Sequence, residues 1–122
     1  MGKKILSAED SPATQKFISF TLKYKGYEVV TANDGIEALE KLSTDTFDLV
    51  ILDIMMPRMN GLEVLKEIRT KTPYKELPIL MLTSEKGDAD KQKALSLGAT
   101  NFLTKPFQPP ELIEAVTKAI GS

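Results

Sequence analysis

The chain contains no cysteine and no histidine. Disulfides are therefore excluded, as are zinc sites built on thiolate or imidazole, haem held through those ligands, iron–sulfur clusters, cysteine proteases and every histidine-based triad. Any metal held by this protein must be a hard cation bound through oxygen. An excess of charge of one sign is also lacking: 16 Lys and Arg stand against 17 Asp and Glu, a formal net charge of −1, which gives no field favouring nucleic acid or an anionic membrane. Long hydrophobic runs are missing too. After Lys3 and Lys4 the apolar stretch is only Ile5 and Leu6 before Ser7, Glu9 and Asp10 interrupt it, and nothing approaches the roughly 20 apolar residues of a membrane span. The expectations are a cytoplasmic location, no direct binding of nucleic acid or membrane, and partners selected by local surface.

What is present is 122 residues, 42% of them hydrophobic. That suits one domain over residues 1–122, large enough to bury about two-thirds of the surface of its unfolded chain around a single core. Five short apolar runs alternate with helix-like segments: Ile5 to Ser7, Tyr27 to Ala32, Leu49 to Leu52, Ile79 to Leu82 and Asn101 to Leu103. The third and fourth are continuously apolar, as expected of central parallel strands covered on both faces. Helical spacing appears in Phe17, Ile18, Thr21 and Leu22, in Ala38, Leu39 and Leu42, in Val64, Leu65 and Ile68, and in Leu112, Ile113, Val116 and Ile120, with Pro109 or Pro110 in the first turn of the last helix. The segment from Asp88 to Leu97 is the weakest helix, offering only Ala94, Leu95 and Leu97 as an apolar stripe. Gly26 ends the first helix, Asn33-Asp34-Gly35 turns into the second and Gly98 ends the fourth, while Lys23 and Lys25 fall at a helix C-terminus where cations favour the dipole.

A β-α unit repeated five times predicts an open parallel sheet, doubly wound, with helices on both faces. Ligands of such sheets bind beyond the carboxyl ends of the strands, where the strand order reverses. The residues there are Glu9 and Asp10 after the first run, Asp53 after the third, Thr83 and Ser84 after the fourth and Lys105 after the fifth. Singly, each has an ordinary explanation. Asp10 is placed to cap the helix after Pro12, a lysine before proline is usually solvated, and a threonine at a strand end usually bonds nearby backbone. Together they form a pattern. Asp53 precedes Ile54, Met55, Met56 and Pro57, a poor helix start, so capping does not explain it. Three clustered carboxylates repel unless a cation lies among them. Without soft ligands, Mg2+ is the cation expected, leaving Thr83 and Lys105 as partners for a phosphoryl group. Glu9 and Asp10 suit paired metal binding, whereas Asp53 stands alone on the central strand, the position for a nucleophile in phosphoryl transfer.

At this point the chain resembles the receiver domain of two-component response regulators. The resemblance is carried by Glu9-Asp10-Ser11-Pro12, by Leu49 through Pro57 with Asn60-Gly61, by Leu82-Thr83 and by Phe102-Leu103-Thr104-Lys105-Pro106-Phe107, and it covers essentially the whole chain. It implies a flavodoxin-like α/β fold, a five-stranded parallel sheet of order 2-1-3-4-5 with five helices on two faces. It further implies that Asp53 accepts a phosphoryl group from a phosphohistidine on a histidine kinase or phosphotransfer protein. Asp10 would bind Mg2+ directly, Glu9 would hold a metal-bound water and the Met55 carbonyl would complete the protein ligands. Lys105 would pair with the phosphoryl oxygens, next to a cis bond to Pro106. Thr83 and Phe102 match the switch pair that reshapes the surface of the fourth helix, fifth strand and fifth helix for a downstream target. Met55 and Glu85 match positions that tune loss of the phosphoryl group, and an apolar Met55 is expected to hinder the attacking water. Phe102 stands where some members have tyrosine. Its ordinary alternative is a permanently buried core ring.

Two departures are visible: Ser7 lies where the first strand is usually aliphatic, which would weaken that strand slightly, and Glu9 replaces the more frequent aspartate. Two other readings compete. A phosphatase of the haloacid dehalogenase type also uses an aspartate, a lysine and Mg2+, but its nucleophile resembles Asp-x-Asp after the first strand, whereas Asp53 is followed by Ile54 and Met55. A receiver-like interaction module that is never phosphorylated has no need of Asp10, Asp53, Thr83 and Lys105 together. The protein is thus expected to be a phosphoacceptor and not a turnover enzyme, a monomer or a phosphorylation-dependent dimer. The end at Gly121-Ser122, directly after the last helix, suits either a complete single-domain regulator or the receiver portion of a longer protein.

Overall fold

The computed structural model describes residues 3–70, 76–84 and 88–121. Strands and helices alternate strictly: β1 (Lys4–Ala8), α1 (Pro12–Tyr24), β2 (Glu28–Ala32), α2 (Gly35–Thr44), β3 (Leu49–Asp53), α3 (Gly61–Thr70), β4 (Ile79–Ser84), α4 (Asp88–Ser96), β5 (Asn101–Lys105) and α5 (Pro109–Ile120). All pairings are parallel, and the sheet runs β2-β1-β3-β4-β5. The chain therefore leaves β1 in one direction to build β2 and returns past it to build β3. That reversal opens a crevice at the carboxyl ends of β1 and β3.

Each strand sends alternate side chains to opposite faces. Leu6, Val50, Leu52, Ile79 and Met81 pack with Ala38, Leu42, Val64, Leu65, Ile68 and Ala94 of α2, α3 and α4. Ile5, Leu49, Ile51, Leu80 and Leu82 pack with Ile18, Leu22, Leu112, Ala115 and Val116 of α1 and α5. The central strand β3 is buried at all five positions, as its uninterrupted apolar run requires.

Three sequence expectations change. The N-cap of α1 is Ser11, whose Oγ accepts the Thr14 N–H at 3.4 Å; Asp10 does not cap. Pro12 occupies the first helical position, which fixes the cap one residue before it and leaves the Asp10 carboxylate uncommitted to the helix. On α4, Ala94 is fully buried but Leu95 is 43% exposed, so the stripe is narrower than the spacing suggests. On α5, Ala115 shares the inner face with Leu112 and Val116, and Ile113 and Ile120 are only half-buried. Ser7 does sit inside β1 and fully buried, and among the described residues its Oγ is the one buried side-chain polar atom without a hydrogen-bond partner.

Candidate functional site

Strand alternation decides which polar residues meet. Ile5, Leu49, Ile51, Leu82 and Leu103 face α1 and α5, and counting in twos along the strands puts Glu9, Asp53 and Lys105 on that same side. Thr83 and Phe102 follow Met81 onto the face of α2, α3 and α4.

The first set converges. The Lys105 ammonium donates to Asp53 Oδ2 at 2.9 Å and to Glu9 Oε2, 96 positions away in the chain, at 3.2 Å. Asp53 Oδ1 accepts the Met55 N–H at 3.3 Å, and Glu9 Oε1 accepts the Ser11 N–H at 3.0 Å. Glu9 and Asp53 are buried, whereas Asp10 is exposed at the rim, and carboxylate oxygens of all three lie within 4.8 Å of one another. The backbone beneath is tied down by Gln15, whose amide donates to the Glu9 carbonyl at 2.6 Å, the Ala32 carbonyl at 3.2 Å and Asn33 Oδ1 at 2.9 Å. Nothing in the sequence singles out Gln15, because a glutamine on a helix is usually solvated.

One ammonium against three carboxylates leaves the site short of positive charge. Burial first, and then the hydrogen bond with Asp53, push the Glu9 carboxyl up to about 7. Burial alone would lower the Lys105 ammonium, but its hydrogen bond to Asp53 and the charges of Asp53 and Glu9 outweigh that and raise it. The donors are all hard oxygens, close enough to share one ion, and the exposed Asp10 leaves an open side. This set fits a hard divalent cation and offers nothing to a soft one.

The remaining residues surround this centre without joining it. The Thr83 side chain is buried, and among the described residues its hydroxyl reaches only the Ser84 carbonyl, at 3.5 Å. Phe102 is half-buried against the α2–α4 core, with the Lys91 ammonium 5.3 Å from its ring centroid, so it is not a sealed core ring. The Met55 side chain is 72% exposed at the rim. The Lys105–Pro106 bond is cis. Glu85 lies outside the described residues.

Comparison with known proteins places this geometry. A model of the response regulator receiver domain matches residues 5–117, and the chain belongs to that family. It is 43% identical over 120 residues to the alkaline phosphatase synthesis transcriptional regulatory protein PhoP of Bacillus subtilis (strain 168), covering 98% of this chain and 49% of that protein. It is 44% identical over 117 residues to the CpxR homolog of Haemophilus influenzae, covering 96% of this chain and 49% of the relative, so the chain spans about half the length of these curated relatives. Among solved structures, chemotaxis response regulator CheY4 of Vibrio cholerae superposes with a TM-score of 0.92 at 42% identity, over 98% of this chain and 99% of the other. The receiver domain of sensor histidine kinase PA1611 from Pseudomonas aeruginosa PAO1, solved with a magnesium ion coordinated in its active site cleft, gives 0.91 at 32% identity over 100% of both chains. Family membership sets aside the dehalogenase-type phosphatase reading.

Proposed function

We propose that this chain is a phosphorylation-dependent switch in which Asp53 accepts a phosphoryl group from a phosphohistidine of a separate histidine kinase or phosphotransfer protein. The observation that carries the reading is the Lys105 ammonium held between Asp53 and Glu9 in a three-carboxylate cluster at the sheet's reversal point. A carboxylate oxygen of Asp53 attacks phosphorus, the P–N bond breaks, and its electron pair leaves on the imidazole. Placement on β3, buried at every position, holds the nucleophile still for in-line attack. Lys105 already contacts the acceptor and offers its ammonium to phosphoryl oxygens as their charge develops. Asp10 and Asp53 directly, Glu9 through water and the Met55 carbonyl would hold Mg2+, which neutralises phosphoryl charge when bound. The chain has no histidine, so the donor is another molecule or a small acyl phosphate.

The output follows from what the second face leaves uncommitted. Among the described residues the Thr83 hydroxyl has only one long contact, so turning toward a phosphoryl oxygen breaks little. The half-buried Phe102 ring would then follow, altering the surface of α4, β5 and α5 that a target protein or effector domain reads. Incubation with Mg2+ and acetyl phosphate followed by intact-mass measurement tests the reading. A single phosphoryl adduct is expected in the wild type and none in Asp53→Asn. A wild type without adduct supports the unphosphorylated interaction module instead, and an adduct that survives Asp53→Asn refutes the assignment of the acceptor.

A further inference from the structure

Between Asp53 and α3 the chain crosses residues 54–60, and one of these carries an unusual backbone. Arg58 has φ 65°, the left-handed region that glycine, asparagine and aspartate visit readily and arginine does not. Its side chain is held. Arg58 Nε donates to Asp34 Oδ2 at 2.8 Å, and Nη2 forms an ion pair with the same oxygen at 2.7 Å. Asp34 is itself immobilised, because its Oδ1 accepts the Glu37 N–H at 2.9 Å as the N-cap of α2. The Asp34 side chain is 12% exposed against 56% for Arg58, so the carboxylate is the fixed member of a charge-assisted pair.

Two further contacts show that the loop lies flat on α2 and closes on the acceptor. A Cβ at Gly35 would stand 2.3 Å from the Met59 carbonyl oxygen and 2.6 Å from Val64 Cγ2, so loop and first helical turn are in direct backbone contact. At the other end, the Gly61 N–H donates to the Ile54 carbonyl at 2.9 Å, and a Cβ at Gly61 would stand 2.3 Å from the Asp53 carbonyl oxygen. Within the loop the Met55 N–H reaches Asp53 Oδ1 at 3.3 Å, the longest and hence weakest of these contacts.

We propose that Arg58 and Asp34 form a latch that holds loop 54–60 against α2 and thereby keeps Met55 positioned beside Asp53. Neither residue touches the carboxylate cluster; both are positioning residues, acting through the loop. The inference rests on the reading of Asp53 and Met55 above. It gives a left-handed arginine a purpose, since the ion pair offsets the cost of that backbone, and it couples the β2–α2 turn to the acceptor.

The test uses the full chain and three variants. Asp34→Asn removes the charge but keeps a cap acceptor, Arg58→Gln removes the cation but keeps the backbone demand, and Arg58→Gly removes both. In metal-free protein, amide exchange at Met55 and Met59 should accelerate about fivefold or more in each, with β3 amides unchanged. The Asp34→Asn/Arg58→Gln double variant should be no faster than either single one. Titration with Mg2+ should show affinity reduced about tenfold, the low end for a residue acting through a metal ligand. Unchanged Met55 exchange, effects that multiply in the double variant, or wild-type protection in Arg58→Gly would each overturn the latch. A wild type that binds no Mg2+ would instead overturn the reading of the site, and the exchange measurements would still decide the latch.

Discussion

The raised Glu9 carboxyl makes a signed forecast for stability. An ordinary glutamate near 4.5 is pushed up to about 7 here, first by burial and then by Asp53. Between those values the native state binds more protons than the unfolded chain, so stability is fully present below about pH 4.5 and is lost as pH rises through 7. At about 1.4 kcal/mol per pH unit the full effect is about 3 kcal/mol. Lys105 is 31% exposed and Asp10 sits open at the rim, so solvent screens part of it, and about 2 kcal/mol is expected. That is a sizeable share of the 5–15 kcal/mol typical of a domain. The window is clean because the chain has no histidine and no cysteine. Asp34, Glu37 and Asp45 are lowered, so their contributions are lost only in acid, as pH falls through their folded values. Lys105 is raised, and its contribution fades only in alkali, above its ordinary value of 10.5. Urea unfolding in EDTA at pH 5 and pH 7 measures the difference, with Glu9→Gln flattening it and added Mg2+ recovering stability at pH 7. A wild type equally or more stable at pH 7 than at pH 5, or an undiminished slope in Glu9→Gln, would refute the account.

How much of this was readable beforehand depends on the range of each contact. Strand cores such as Leu49 to Leu52 were legible because a central parallel strand leaves no polar face. Strand ends were not: Asp53, Thr83 and Lys105 lie within β3, β4 and β5, since backbone pairing continues past the point where polarity begins. The convergence of Glu9 and Lys105 needed the strand order, which alternation alone does not supply. The cap of α1 was misplaced by one residue because Asp10 and Ser11 are both good caps, although Pro12 at the first helical position favours Ser11. Leu95 was drawn inward by its hydrophobicity, yet a helix as polar as α4 rests on the sheet by little more than Ala94. The Arg58–Asp34 pair joins residues 24 apart through a left-handed turn and left no mark in the sequence.

Three further outcomes can be checked directly. Ser7→Ala removes a buried hydroxyl that has no partner and should raise stability by about 1 kcal/mol in urea unfolding; a loss would mean the hydroxyl is satisfied in solution. Gly61→Ala forces a Cβ to within 2.3 Å of the Asp53 carbonyl oxygen, against backbone that cannot give, and should cost about 2 kcal/mol or more while slowing phosphorylation. Met55→Asn addresses the lifetime of the phosphorylated state. The Met55 side chain is 72% exposed, two residues beyond the acceptor, and its thioether neither orients nor strongly binds the water that would hydrolyse an acyl phosphate. An asparagine amide there offers that water one hydrogen bond, worth about 1 kcal/mol and hence about a fivefold faster decay. The backbone carbonyl assigned to the metal is untouched, so Mg2+ affinity should stay constant while the phosphoryl adduct decays faster by intact mass. An unchanged decay rate would remove Met55 from the control of lifetime, and a faster rate accompanied by weaker Mg2+ binding would place its effect in the loop backbone instead.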